Sequence, residues 1–251
     1  MDLIVPAWTR VPDTIGALST TRRGGWSASP YDDGEGGGGL NLGAHVGDDP
    51  ENVRRNRALL RTILPAEPAW LSQVHGARVV DAATVDDVPP DADASISTVP
   101  GVVCAVQTAD CLPVLFCDSG GKVVGAAHAG WRGLAGGVLE NTVAAMRNAE
   151  ASEILAWLGP AIGPQCFEVG RDVFEAFSGK DGEMATAFKP IAGSAGKYLA
   201  DIYGLARRTL VLAGVTQVSG GGMCTFTERQ RFYSYRRDKV TGRMASLIWL
   251  K

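Results

Sequence analysis

The chain has 251 residues, 45% of them hydrophobic and 20% charged, an ordinary globular composition long enough for one large core. Its 24 basic and 27 acidic residues give a formal net charge of −3, so composition offers no basic face for a nucleic-acid partner. Asp2 and Pro6 interrupt the N-terminal stretch, and no apolar run approaches the roughly 20 residues a bilayer span needs, so neither a leader nor a membrane association is expected.

In chain order, Thr14–Thr20 reads as a short strand. Gly34 and Gly36–Gly39 make the only low-complexity segment, expected as a flexible surface loop near 32–39, between Tyr31 and Leu40. Asp49 is a suitable N-cap and Pro50 a suitable first residue for a helix running through Arg54, Leu59 and Ile63. Ala77–Ala82 reads as a short strand, and Gly101–Gln107, Leu112–Phe116 and Lys122–Ala127 as more buried ones. A helix over Leu134–Asn148, a strand over Glu153–Leu158, a short helix over Arg171–Phe177 and a longer helix over Asp201–Leu212, closed by Gly214, follow. Met244–Leu250 is the last strand. Helices and strands mix without a strict βαβ alternation and no linker divides the chain, which points to one α+β domain over residues 1–251.

Five cysteines, Cys104, Cys111, Cys117, Cys166 and Cys224, are an odd number in a chain too large to need stapling, so disulfides are not expected. Free thiols suit a reducing compartment, and a cytoplasmic location is the expectation. Cys104 and Cys117 read as core. Cys111 instead follows Thr108-Ala-Asp110 and precedes Leu112-Pro113, where one buried strand turns into the next.

Only three histidines exist, His45, His75 and His128. His75 and His128 each end a strand-like approach with a glycine just behind, where loops open. Two imidazoles and one thiolate, His75, His128 and Cys111, form a three-ligand set suited to tetrahedral zinc with the fourth position left for water or substrate. None of the short spacings that make a metal motif specific is present. Arg132, four residues past His128 at a helix start, suits phosphate or carboxylate, or is a surface arginine. Asp91, Asp93 and Asp110 are candidates to fix a histidine tautomer, with turn formation the preferred reading for Asp91. Tyr233, Ser234, Tyr235, Arg236 and Arg237 form a polar aromatic cluster able to stack a ring and grip an anion, or a solvated face. Gln73 offers a donor and an acceptor beside His75.

Several strings occur together in order: Asn41-Leu-Gly-Ala-His-Val-Gly-Asp48, Gln73-Val-His-Gly76, Asp91-Ala-Asp-Ala94, Thr108-Ala-Asp-Cys-Leu-Pro-Val-Leu-Phe116, His128-Ala-Gly-Trp-Arg-Gly133, Gly159-Pro-Ala-Ile-Gly-Pro164 and Phe232-Tyr-Ser-Tyr-Arg-Arg-Asp238. In this combination the chain resembles the YfiH-like laccase-domain family, also called the purine nucleoside phosphorylase YfiH, polyphenol oxidase or peptidoglycan editing factor family, from about Ser19 to the C-terminus. The resemblance implies sheets packed against each other with helices outside, as in the deamidase domain of cytotoxic necrotizing factor, and places the family's zinc ligands on His75, Cys111 and His128. Two departures are a longer glycine insertion at Gly36–Gly39 and the variable pair Gln165-Cys166.

Four functions compete. The resemblance implies a zinc-dependent purine nucleoside enzyme, catalysing phosphorolysis of adenosine, inosine and methylthioadenosine with some adenosine deamination, with Cys111, His128 and His75 at the reacting centre. In that reading Arg132 or Arg22 attracts phosphate, Tyr235 or Trp131 packs the base, and Gln73 and His45 line the pocket. Its partners are a purine nucleoside and phosphate, in a monomer or small homo-oligomer. A copper-dependent polyphenol oxidase is the second; three histidines supply few ligands for the several redox metals that four-electron oxygen reduction uses. A metal-free amide hydrolase acting on peptidoglycan precursors, with Cys111 as nucleophile and His128 as base, is the third. A zinc-stabilised binding protein is the fourth, which would want His45 as a closing ligand.

Overall fold

A computed structural model describes all 251 residues. The strands that read as continuous apolar runs do so because both of their faces are covered. In Leu112–Asp118, Leu112, Val114 and Phe116 enter one core while Leu115 and Cys117 enter another. In Val103–Thr108, Val103 and Ala105 alternate with Cys104 and Val106 in the same way. The two-residue period of a strand sends neighbours to opposite faces, so each strand serves two cores.

Two large sheets result. The first has five strands in the order Leu3–Ile4, Ile15–Thr20, Met244–Leu250, Val103–Thr108 and Pro68–Ala69, antiparallel except at the last pair. The second has six, in the order Gln217–Gly220, Ile154–Leu158, Leu112–Asp118, Val124–Ala129, Ala94–Ser97 and Val79–Asp81, with a parallel pair at each edge. Cys104, Val106, Leu115, Leu155, Trp157 and Ile248 fill the space between them. Helix Pro50–Arg61 contributes Leu60 to a core with Leu18, Leu40 and Leu247 on the other face of the first sheet. Helices Val138–Asn148 and Ile202–Leu212 cover the far face of the second. A small third sheet, Glu168–Gly170, Lys197–Ala200 and Phe188–Pro190, stands beside helix Arg171–Ser178. This is the expected α+β class, mixed sheets packed together with flanking helices. No helix is long and apolar enough to cross a membrane.

Local signals hold where their chemistry is specific. Asp49 caps the helix it was expected to start, its carboxylate accepting the N–H of Glu51 at 2.9 Å. The helix expected over Leu134–Asn148 is instead two, Trp131–Gly136 and Val138–Asn148, because Gly137 takes φ 95° and its N–H closes the first helix on the Gly133 and Leu134 carbonyls. The glycine run also divides. Asp33 gathers the N–H groups of Glu35 and Gly37 into a surface turn, whereas Gly39 is buried, its carbonyl accepting from Asn56 Nδ2. A Cβ on Gly38 or Gly39 would come within 2.0 Å of Gly25 O or 1.8 Å of Tyr31 O, so close backbone packing demands glycine at these two positions.

Leu115 is fully buried between the two sheets, four residues after Cys111. Leu115→Ala leaves a cavity there and is expected to cost about 2–5 kcal/mol of unfolding free energy, read from urea denaturation. A loss within 0.5 kcal/mol would contradict a tightly packed intersheet core.

Candidate metal centre

The centre forms where the chain crosses between sheets. Val103–Thr108 in the first sheet leads through Ala109 and Asp110 to Cys111, and Leu112–Asp118 then runs in the second. Asp110 makes this corner with φ 96°, an unusual value for a residue with a side chain. Its carboxylate accepts the hydroxyl of Thr225 and the N–H of Arg236, both at 2.6 Å, which ties two later segments to the corner. His128 lies in Val124–Ala129, directly across from Pro113. His75 sits on the loop after Pro68–Ala69, also at positive φ, 60°.

Asp93 holds the histidines together. Its side chain is wholly buried; Oδ1 accepts from His128 Nδ1 at 2.8 Å and from the N–H of His75 at 3.0 Å. Oδ2 accepts from the N–H of Gly76 at 2.7 Å and of Val74 at 3.2 Å. One carboxylate thus orients one imidazole and stabilises the strained backbone that carries the other. With Nδ1 of His128 engaged, its Nε2 is left for the cluster.

The donor atoms of His75, Cys111 and His128 all lie within 4.8 Å of one another. Cys111 Sγ is 3.8 Å from His75 Nε2, and the two imidazole centroids are 4.8 Å apart at 75°. Tetrahedral zinc, with bonds of ~2.05 Å to nitrogen and ~2.3 Å to sulfur, needs an N to S separation of about 3.6 Å. The donor set therefore fits a metal ion with little adjustment. The set supplies three protein donors, and His45 is not among them. Two glycines make room. A Cβ on Gly130 would stand 3.0 Å from both Cys111 Sγ and His75 Cδ2, and one on Gly133 would stand 2.7 Å from the carbonyl of Gly76. The spacing of His128-Ala-Gly130 and Gly133 thereby lets the helix Trp131–Gly136 lie directly on the His75 loop.

Electrostatics couple the three side chains. Burial opposes ionisation of Cys111, but the His128 charge and hydrogen bonds from both imidazoles outweigh it and bring the thiol down to about 6. Burial likewise opposes the charge on His128, and the Cys111 thiolate with the Asp93 carboxylate overrides it, pushing the imidazole up to about 9. Asp93, which burial alone would push up, is held below its ordinary range chiefly by His128 and by the N–H groups of Gly76 and Val74. Both shifts run in the direction that favours a thiolate beside an imidazolium in the metal-free protein. Cys104 and Cys117, with their thiols pushed up to about 12 by burial, are inert core.

Two cavities meet at His75, Ala109, Cys111 and Tyr235. One, about 400 Å³, is completed by His45, Gln73, Gln107, Thr108, His128 and Arg243. The other, about 310 Å³, has an apolar wall of Trp131, Ile162, Phe167 and Ile202 under the cations Arg132, Arg236 and Lys239. Tyr235, Arg132 and His45 are therefore brought to the cluster, Arg132 with its guanidinium stacked 4.4 Å from the Trp131 ring. Arg22 is not. Its guanidinium is buried under Tyr233 and donates to Asp32 O, Asp32 Oδ1 and Arg229 O, which makes it a structural tie and corrects its assignment to substrate. Gln73 lines the cavity, and its amide is held there by Gln107, Nε2 donating to Gln107 O and Oε1 accepting Gln107 N–H, with one donor hydrogen and one lone pair left over. Asp91 pairs with Ser72 and gives its carbonyl to Arg78, a structural role. Of the aromatic cluster, Tyr233 is core and Arg237 is locked on Asp238 and three carbonyls, while Tyr235 and Arg236 face the cavity. Arg243 went unread in the sequence; a lone cation after Gly242, opening an otherwise apolar strand, was its signal.

Residues 16–251 match the family described as multi-copper polyphenol oxidoreductase laccase. The purine nucleoside phosphorylase YfiH of Escherichia coli is 54% identical over 250 residues, covering 99% of this chain and 98% of that one. A purine nucleoside phosphorylase of Pseudomonas aeruginosa is 52% identical over 248 residues, with the same coverage. The crystal structure of a Neisseria meningitidis protein superposes with a TM-score of 0.91 at 52% identity over the whole of both chains. A Bacillus licheniformis YfiH structure gives 0.84 at 32%, covering 94% of this chain and 93% of that one.

Two outcomes follow from this geometry. Asp93→Asn removes the anionic acceptor that four donors share, and zinc affinity, measured by competition with a chromophoric chelator, is expected to fall about 10- to 100-fold; unchanged affinity would exclude Asp93 from any part in the centre. In metal-free protein, alkylation of Cys111 depends on its thiolate, whose pKa is lowered. The rate should therefore persist as pH falls and halve near pH 6, where an ordinary thiol halves near ~8.5. A midpoint near the ordinary value, followed on the Cys111 peptide by mass spectrometry, would show that the ion pair does not form.

Proposed function

This chain belongs to the laccase-domain family of YfiH-like proteins, and on that premise we propose that it is a zinc-dependent purine nucleoside enzyme. The proposed reactions are phosphorolysis of adenosine, inosine and methylthioadenosine, with adenosine deamination. The observation that carries the chemistry is the convergence of His75, Cys111 and His128 within 4.8 Å where two cavities meet. The nucleoside specificity draws on the printed names of relatives that match this chain over nearly its full length.

His75 Nε2, Cys111 Sγ and His128 Nε2 would hold the ion. Bound zinc supplies Lewis acidity and lowers the pKa of a bound water to about 7. The chain's own groups do the rest. Asp93 keeps His128 in the tautomer that presents Nε2, and fixes the His75 backbone. The apolar wall of Trp131, Ile162 and Phe167, with the exposed ring of Tyr235 at its mouth, offers flat surfaces for a purine. Arg132, Arg236 and Lys239 edge that wall with positive charge. The small-molecule scale of both cavities suits a nucleoside. We place the enzyme in the cytoplasm, on the free state of its five cysteines.

Copper is the alternative ion suggested by the family's description. The chain's three histidines provide one mononuclear set, whereas four-electron oxygen reduction ordinarily uses several redox metals. A second reading is favoured by a specific observation: Asp93, His128 and Cys111 stand in the order acceptor, imidazole and thiolate that a metal-free cysteine amidase uses.

Zinc-loaded protein is expected to release base from inosine or adenosine only with phosphate present, and Cys111→Ala is expected to lower that rate at least about 100-fold. Absence of phosphate-dependent release, or a Cys111→Ala enzyme equal to wild type, would contradict the proposal. Amide hydrolysis that survives chelators and stops on thiol alkylation would instead establish the metal-free reading.

A further inference from the structure

The cavity on the His45 side is lined by no carboxylate and by one permanent cation, Arg243. That side chain is built into place. The backbone N–H of Arg243 donates to Asn41 Oδ1 at 2.8 Å, and the same oxygen accepts Gly43 N–H at 3.0 Å, so one buried carboxamide fixes both the main chain at Arg243 and the loop under its stem. Asp48 holds the other end of this carboxamide, accepting from Asn41 Nδ2 at 2.9 Å and from Ser27 Oγ at 2.6 Å. The Arg243 stem passes over Gly43, where a Cβ would come within 2.8 Å of its Cγ. Nη1 donates to the carbonyls of Thr241 and Gly242, both at 3.0 Å, which fixes the guanidinium plane.

The remaining donors, Nε and Nη2, have no partner in the protein, and no carboxylate pairs with the group. Burial lowers the pKa of Arg243, and the charges that offset this belong first to Cys111 and then to Asp110. A half-buried guanidinium normally meets a carboxylate. Here its open fork faces a cavity shared with the metal donors, and a tetrahedral oxyanion is the ligand that matches two parallel N–H groups. His45 lines the same cavity; burial, then the charges of Arg243 and Arg57, lower its pKa, so it offers a neutral imidazole with one donor and one acceptor.

We propose that Arg243, with His45 beside it, is the subsite for inorganic phosphate, and that the apolar cavity across the cluster takes the purine. This assignment rests on the nucleoside reading and replaces Arg22 and Arg132 as the phosphate-binding group. Displacement at the ribose requires the incoming oxygen and the departing base to occupy different directions from the anomeric carbon, and two cavities meeting at the cluster give each its own. A hydrogenphosphate oxygen forms the bond to C1′ as the C1′–N9 bond breaks. Its electron pair leaves on the purine, and the proton of hydrogenphosphate ends on the purine nitrogen. Atoms and charge balance with no oxidant.

Steady-state kinetics of the zinc-loaded full-length enzyme, varying phosphate and inosine separately, tests this. Arg243→Gln should raise the KM for phosphate about 10- to 100-fold, as loss of a charge-assisted pair of hydrogen bonds does, while the KM for inosine changes by less than about 3-fold. Arg243→Lys, which keeps the charge but loses the fork, should fall between Gln and wild type, and serves if the Gln variant is unstable. A wild-type phosphate KM in both variants would overturn the subsite and leave the nucleoside reading standing. Should wild type show no turnover, titration with inorganic phosphate alone decides: binding lost in Arg243→Gln supports the subsite without that reading, and binding unaffected by the substitution, or absent from wild type, overturns it.

Discussion

A single buried carboxylate organises the centre. Asp93 accepts four hydrogen bonds, three from consecutive backbone N–H groups of Val74, His75 and Gly76 and one from the ring of His128. A carboxylate without water is stable only if its lone pairs are filled, and here filling them forces two histidines from distant parts of the chain to face one another. The strained backbone of His75, at φ 60°, persists because this network over-determines it. Cys111 reaches the same spot independently, at the corner where the chain leaves one sheet for the other.

The layered core explains why that corner is rigid. Strands Val103–Thr108 and Leu112–Asp118 each bury both faces, so the short link between them cannot shift without disturbing two cores. Asp110 adds polar ties from the link to Thr225 and to Arg236, the latter on the wall of the apolar cavity. Gly130 and Gly133 supply the absence of bulk that lets sulfur, imidazole and helix approach. Shape complementarity at the centre thus depends as much on missing side chains as on present ones.

What was legible in the sequence follows from how local its physics is. The Asp49-Pro50 start of a helix, the two-faced apolar strands and the cysteine at a strand turn are decided within a few residues, and all are present in the structure. The single helix expected over Leu134–Asn148 failed at Gly137, where a glycine pair reads equally well as tolerated or as a stop. The third sheet and the strand Ala94–Ser97 are three or four residues per strand, held by pairing rather than propensity, and carry little periodic signal. At the centre, His75, Cys111 and His128 were singled out by residue type and setting, and Asp93 was one of three aspartates offered as acceptors. Gln73 does line the cavity, Arg22 lies away from the cluster because its donors are taken by carbonyls such as Arg229 O, distant in sequence, and Arg243 was overlooked because its partner Asn41 is 202 residues distant.

The central claim is that one ion is held by two imidazoles and one thiolate with a fourth position open. X-ray absorption at the zinc edge of the metal-loaded protein reads that directly. The account predicts one sulfur at about 2.3 Å, two imidazole nitrogens at about 2.0–2.1 Å and one further oxygen or nitrogen from solvent. A spectrum without sulfur, or with a third imidazole closing the shell, would contradict it.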